Sequence, residues 1–432
     1  MNMESVKKKS IFKNKNFVLT ALGAVESNIG AIFYNFFVSF YILSLTNNNS
    51  AIQGLYLGIT GLFFVLASPI GGVIVDKFNK AKILYVCDFL RSFVILATVV
   101  SIMLIDNNTL IIIILFIGGV IGNIIGAIFA PAGSSLIPEI VGVEDLQTAN
   151  SISGITTALQ TIIGTTLVGF LYNALSTNVI LFIVSGFYFL SGVTELFIKY
   201  DYKKKESQLS LRIVFKDMKD TFSYIKTQRS IFILLCLLIF LNLFFNPIQT
   251  NFFSYFCVTD VASNNYLLSK ICAPEIWQSI FCVALSVASI LMSLIFANIK
   301  IRNYFKAIKK GFLIISLAVI VMTISYFVFV RKTANLNVFL VINTIMCLLI
   351  GAGVVSINVP IASTLQEKVD ITKYGKVMSL IQIGAQGLTP VMTLIAGLIL
   401  LSGSEYLLLV LSIGLILTTL IALFSKKLKE HK

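Results

Sequence analysis

The chain has 432 residues, of which 57% are hydrophobic and only 12% charged, with a formal net charge of +14. A water-soluble domain of this size needs a charged surface that such a composition does not supply, so an ordinary soluble protein is excluded. The positive charge does not point to nucleic acid either, because no basic run is interleaved with aromatic residues in a polar segment.

Apolar runs at 17–45, 52–75, 83–105 and 110–130 each exceed the roughly 20 residues that cross a bilayer as helix. Further runs follow at 151–172, 178–198, 231–257, 276–297, 311–330, 338–361, 377–401 and 406–424, which makes twelve. In hydrocarbon the backbone has to satisfy its own hydrogen bonds. The runs are therefore predicted to be helices, since a barrel needs short alternating strands. The N-terminus is basic and then apolar, like a signal peptide. Its apolar run is too long for one, and no small-residue cleavage site is evident, so it reads as the first span.

Alternating the connecting segments from the N-terminus puts 29 of the 33 Lys and Arg on one side. Lys270, Arg331 and Lys332 fall on the other side, and Arg91 lies within a span. The positive-inside rule then predicts a multi-pass plasma (inner) membrane protein with both termini in the cytoplasm. Basic residues beside the headgroups make membrane lipid an expected partner.

The longest polar stretch, 199–230, opens with Lys203, Lys204 and Lys205. It then carries Leu211, Val214, Phe215, Met218, Phe222 and Ile225 at helical spacing, with Lys216, Lys219 and Lys226 between them. That pattern predicts an amphipathic helix lying on the inner membrane face. The expected layout is a tail (1–16), a six-helix bundle (17–198), this linker (199–230), a second six-helix bundle (231–424) and a tail (425–432). The halves share landmarks at a constant offset of 229 residues. Pro131, Ser134 and Leu136 match Pro360, Ser363 and Leu365, while Lys77 and Lys80 match Lys306 and Lys309. Such duplication is a transporter signature.

Polar groups inside the spans are expensive and are functional candidates by default. Glu26 sits well inside the first run, where a carboxyl could exchange protons from alternating sides or bind substrate. A structural hydrogen-bonded acid is the competing reading. Asp88 and Arg91 are three apart on one helix face and can pair, structurally or as part of proton movement. Asn35, Asn123, Asn242, Asn246, Gln249 and Gln382 are candidates to line a cavity, with Asn251, Gln160 and Gln386 of the same kind. Trp277 is expected at the membrane interface. The six cysteines show no metal-ligand spacing and read as packing residues. A Cys257–Cys272 disulfide is conceivable at the outer side. The single His431 lies in the tail, and no Ser/His/Asp set, phosphate loop, metal site or cofactor motif is evident, so an enzyme is not expected.

The loop after the second run reads Gly71-Gly72-Val-Ile-Val-Asp76-Lys77-Phe-Asn-Lys80-Ala-Lys82. It resembles the signature of the major facilitator superfamily. Three further segments are similar to the macrolide-efflux and siderophore-exporter branch of that superfamily. These are Asn49-Ser50-Ala51, Phe129-Ala-Pro131-Ala132 through Ile137-Pro138 to Asn150, and Pro360 through Gly375-Lys376-Val377 to Pro390 and Gly397. The resemblance implies an all-α fold of twelve transmembrane helices in two pseudo-symmetric six-helix bundles. It also implies a cytoplasmic gate in which Gly72 lets the halves pack closely. There Asp76 faces the start of the eleventh helix near Gly375, flanked by Lys77, Lys80 and Lys82. The sequence departs from the pattern in having no Arg in the fourth helix. It has Gly164-Thr165 and Gly169 where exporters often carry Gly-Pro, and Phe305 where the repeat would place Asp76.

The expected function is a secondary active transporter that exports an amphipathic small molecule, drug-like, macrolide-like or siderophore-like, by proton antiport with alternating access, acting as a monomer. A lysophospholipid flippase of the same fold and a non-transporting membrane sensor are the alternatives. The residues do not separate export from import, or H⁺ from Na⁺.

Overall fold

The computed structural model describes residues 11–141, 146–200, 202, 211–267, 269, 273–298, 303–332, 335–369, 377, 380–381 and 383–425. Among these residues, twelve helices are long and apolar enough to cross a bilayer. The first half contains α1 (Lys15–Leu45), α2 (Ser50–Lys77), α3 (Lys80–Leu104), α4 (Asn108–Val141), α5 (Leu146–Leu171) and α6 (Thr177–Leu196). A linker helix, α7 (Leu211–Thr227), follows. The second half contains α8 (Arg229–Val261), α9 (Ile276–Asn298), α10 (Tyr304–Lys332), α11 (Leu336–Lys368), α12 (Ile383–Leu400) and α13 (Ser404–Phe424). Six spans in each half bring both termini to one face, called here the terminal face.

Asparagine starts several of these helices, because its side-chain oxygen accepts a first-turn N–H that has no partner within the helix. Asn14 caps α1 through Phe17 N, Asn49 caps α2 through Ala51 N, Asn79 caps α3 through Lys82 N and Asn303 caps α10 through Lys306 N. The caps correct the internal register. Lys77 is the last residue of α2, whereas Lys306 lies in the first turn of α10. The ungapped offset therefore holds for Pro131 and Pro360, deep in α4 and α11, and fails at the preceding turn. Likewise α4 runs past the expected end at 130, through Pro131 and Pro138, to Val141. Hydropathy falls there at Ser134 and Ser135, but both hydroxyls donate back to helix carbonyls, so the helix continues as the apolar run ends.

Two helices change winding near the face opposite the termini. The end of α8 contains π-helical turns at Ile248–Phe252 and Cys257–Val261, and α10 ends in a π-helical stretch, Tyr326–Lys332. Phe252, Phe256, Tyr326 and Phe339 pack edge-on or offset between them. Above these rings, Asp260 accepts from Tyr326 Oη (3.0 Å) and Ser404 Oγ (3.2 Å), and Arg331 pairs with Glu405 at 2.6 Å. Trp277 belongs to this interior. It is 4% exposed and lies against Phe281, so it is a packing residue rather than an interfacial anchor. Cys257 is a buried free thiol, and Cys272, the other half of the conceivable disulfide, lies outside the described residues.

The halves meet along two helix pairs, α2 with α12 and α5 with α9. Small residues let backbones approach where hydrocarbon supplies no hydrophobic drive. A Cβ on Gly54 would sit 2.7 Å from Gly397 Cα, and one on Gly397 would sit 2.6 Å from Ser50 O. The side-chain hydrogen bonds that join described residues of the two halves fall on the same side of the molecule. Ser50 Oγ donates to Gly397 O (2.9 Å), Ser279 Oγ to Thr165 O (2.6 Å) and Asn173 Nδ2 to Glu275 Oε2 (2.8 Å). Gln53 Nε2 donates to Ser39 Oγ and, across the interface, to Ser254 Oγ, each at 2.6 Å. Burial moves the Glu275 carboxyl above its usual range, while its hydrogen bonds pull it down. Ser50 opens α2, Gly397 is near the end of α12, and Glu275 precedes α9. The halves are thus closed together at the face opposite the termini. Gly397→Val places a branched side chain against backbone that cannot yield. Its expected effect is to part this closure, read as a longer distance between spin labels at Asn47 and Ser402 in a cysteine-free background, with no loss of folded yield.

Candidate functional site

Glu26 lies eleven residues beyond the first residue of α1, about 16 Å along the axis at 1.5 Å per residue. Its side chain is half-buried, and Oε2 accepts from Thr194 Oγ1 of α6 at 2.9 Å. One turn away, Asp88 of α3 is fully buried and both its oxygens are occupied. Oδ1 accepts from Ser27 Oγ (3.1 Å) and from Arg91 Nη1 (3.2 Å), and Oδ2 accepts from Ser191 Oγ (2.5 Å). Arg91 Nη1 also donates to Ser27 Oγ (3.2 Å), and its guanidinium lies over Phe129 of α4 (4.6 Å) and Tyr188 of α6 (5.4 Å). The Asp88–Arg91 pair therefore ties α1, α3, α4 and α6 together in place of water.

Sequence reading missed the fourth charged member. Glu195 of α6 is 1% exposed, and its Oε2 has no hydrogen-bond partner. Gly23 makes the room for it, because a Cβ there would lie 2.6 Å from Glu195 Cγ. The available signal was an acid inside the sixth apolar run. Its position near the end of that run, next to Lys199, makes it read as a headgroup residue.

α1 packs on α2, α4, α5 and α6 and touches α8 of the other half, and it leaves one face exposed. Asn35 lies on that face, with Asn28 two turns earlier. Asn123 and Asn242 instead donate to carbonyls of their own helices, Gly119 O and Leu238 O, both at 2.9 Å. Asn246 and Gln249 are half-buried on α8 where it turns π-helical. Asn251 is buried and donates to Thr393 O of α12 (3.2 Å). Gln382 and Gly375 lie outside the described residues.

The gate residues sit at the terminal face. Asp76, Lys77 and Lys82 are exposed and make no ion pair among the described residues. Lys80 pairs with Glu139 at 2.8 Å, and Tyr200 Oη also donates to Glu139, so α3, α4 and the end of α6 are tied within one half. Burial and the Glu139 carboxylate push the Tyr200 phenol up to about 12. The close approach expected of Gly72 belongs to its neighbour. A Cβ on Gly72 would meet nothing within 4 Å, while one on Gly71 would sit 2.2 Å from Ala127 O. That contact joins α2 to α4 inside one half, not the two halves to each other.

Twelve spans in two bundles, meeting through α2–α12 and α5–α9, agree with the comparisons with known proteins. A model of the Major Facilitator Superfamily matches residues 19–392. The chain belongs to that superfamily. Two relatives from Bacillus subtilis (strain 168) are both described as uncharacterized MFS-type transporters. YkuC is 27% identical over 183 residues, 41% of each chain, and YvqJ is 23% identical over 249 residues, 57% of this chain and 54% of its own. The matches thus span about half or less of each relative's length. The fold also matches a bacterial homologue of the iron transporter ferroportin in an inward-facing state, with a TM-score of 0.71 at 17% identity. That match covers 98% of this chain and 100% of the other. A D-xylose–proton symporter matches with a TM-score of 0.72 at 10% identity, over 96% and 97% of the two chains. The protein is accordingly a membrane transporter of this superfamily.

Removing one partner of a buried ion pair leaves an uncompensated charge, which costs roughly 3–5 kcal/mol. Arg91→Met is expected to lower the melting temperature of the purified protein sharply, because it leaves the buried Asp88 carboxylate unpaired. The double variant Asp88→Ala/Arg91→Met should recover most of the loss in the same thermal assay.

Proposed function

We propose that this transporter exports an amphipathic small molecule in exchange for protons. The termini would lie in the cytoplasm of a plasma-membrane protein whose two bundles rock about a central cavity. The observation that carries this reading is the half-buried Glu26 carboxyl, deep in α1 and held by Thr194 beside a second buried acid. A carboxyl there is costly in hydrocarbon, and proton exchange gives it a use. The distribution of Lys and Arg supports the orientation, since 29 of 33 fall on the terminal side. With that orientation the closed contacts are extracellular, as suits an exporter that loads from the cytoplasm. Asp76, Lys77, Lys80 and Lys82 would then form the cytoplasmic gate when the halves close there.

An amphipathic cargo suits the proposed cavity, to which Asn35 and Asn28 on α1 and Asn246 and Gln249 on α8 would contribute amides. The proposed transporting unit is a monomer without a cofactor. One fold neighbour is a D-xylose–proton symporter, so proton coupling has a precedent on this scaffold.

The test is accumulation of a labelled macrolide in cells with and without the protein, before and after a protonophore. Lower accumulation that the protonophore abolishes is expected, and Glu26→Gln should restore accumulation to the level of cells lacking the protein. Unchanged accumulation removes macrolides as substrates and moves siderophores and lysophospholipids ahead. The lipid alternative is then read by movement of labelled lysophospholipid between leaflets. Full export by Glu26→Gln would remove that carboxyl from the coupling step.

A further inference from the structure

The charged groups at the centre of the first half do not balance in pairs. α1 contributes Glu26, α3 contributes Asp88, Arg91 and the Cys87 thiol, and α6 contributes Glu195 and the Tyr188 phenol. That makes three carboxyls and one guanidinium around Gly23, Ser27, Ser191 and Thr194. The functional positions repeat one pattern, residues 23, 26 and 27 on α1 and residues 191, 194 and 195 on α6. Spacings of i, i+3 and i+4 put each set on a single helix face. The two faces meet, and α3 closes the third side.

The partners are not shared equally. Arg91 is matched by Asp88, whose two oxygens accept three hydrogen bonds, an acceptor-only role that suits an ionised carboxylate. Glu26 is half-buried and has the Thr194 hydroxyl. Glu195 has no counter-charge of its own. It is 1% exposed, its Oε2 receives no donor, and the one cation nearby is already paired. An anion in that position has nothing to compensate it, whereas a neutral acid needs only a place for one O–H.

We propose that Glu195 is a proton-binding site of this transporter, loaded in the conformation described here, with Glu26 as its point of exchange with the cavity. The assignment rests on the proton-exchange reading above and relocates the stored proton from α1 to α6. Loading adds one proton to a Glu195 carboxylate oxygen and gives a neutral carboxylic acid. Unloading returns that proton to the Glu26 carboxylate, and from there to water, leaving Glu195 as the anion. Thr194 places the two acids side by side, because its hydroxyl holds Glu26 while its neighbour in sequence is Glu195. Arg91 is the group that can stabilise the Glu195 anion transiently, at the expense of its bond to Asp88. Asp88 thereby acts as a positioning residue that keeps the guanidinium away from Glu195 while the proton is bound.

The test is infrared spectroscopy of the purified full-length protein in lipid nanodiscs, reading the carbonyl stretch of a protonated carboxylic acid. At neutral pH the wild type should show this band, shifted in heavy water. Glu195→Gln should remove it, and Glu26→Gln should leave it in place. Asp88→Asn should also remove it, because the freed guanidinium then pairs with Glu195 and ionises it. A wild type without the band at neutral pH, or a band that survives Glu195→Gln, overturns the assignment. The band needs no substrate, so it stands or falls independently of the macrolide assay.

Discussion

Hydrocarbon can neither donate nor accept a hydrogen bond, and the architecture follows from that. The backbone closes its own bonds in twelve helices. Side chains are then left with the same problem, and each polar group inside a bundle needs a partner from a neighbouring helix or from its own preceding turn. The serines and threonines mostly take the second course, with hydroxyls donating to carbonyls three or four residues earlier. Groups that cannot do so gather. Asp88, Arg91, Ser27 and Ser191 form one interior network, and Asp260, Tyr326 and Ser404 form another near the face opposite the termini.

These networks decide what moves as a unit. Asp88 and Arg91 bind α1, α3 and α6 to one another, and Lys80, Glu139 and Tyr200 do the same for the ends of α3, α4 and α6. All of these bonds lie within one half. Between halves the contacts are of another kind, single hydrogen bonds donated by hydroxyls and amides to backbone carbonyls or to side chains, over glycines that allow close approach. Charge holds each bundle rigid, while small residues and single hydrogen bonds hold the bundles together. A joint made of such contacts is tight in one arrangement and cheap to reform in another.

Much of this was legible in the residues, because composition and hydropathy act through the number and length of apolar runs. The twelve spans and the linker helix needed no structural information. Helix ends were harder. α4 passes Pro131 and Pro138 without ending, and no hydropathy window registers that. Trp277 was misplaced because indole has two environments available, the headgroup region and an aromatic interior, and only the positions of Phe253 and Phe281 decide between them. Gly71 and Gly72 are indistinguishable in sequence, and which one touches α4 depends on the phase of α2. Glu195 was overlooked for a similar reason. An acid at the end of an apolar run reads as a headgroup residue until the tilt of α6 against α1 is known. The departures of sequence from structure thus concentrate where a residue's neighbour lies on another helix.

The amide of Gln53 shows how a transporter can open while each side keeps a bond of its own. Its nitrogen contacts Ser39 in its own half and Ser254 in the other, at the same distance. When the halves part there, the bond to Ser254 is broken and the bond to Ser39 travels with the amide. Ser254 in turn retains its bond to Thr250 O of its own helix. Opening here therefore gives up one of the two N–H bonds of Gln53 and separates no charge, so the polar cost of the open state is a single hydrogen bond. A seal built with a partner kept in reserve on each side works as a reversible fastener.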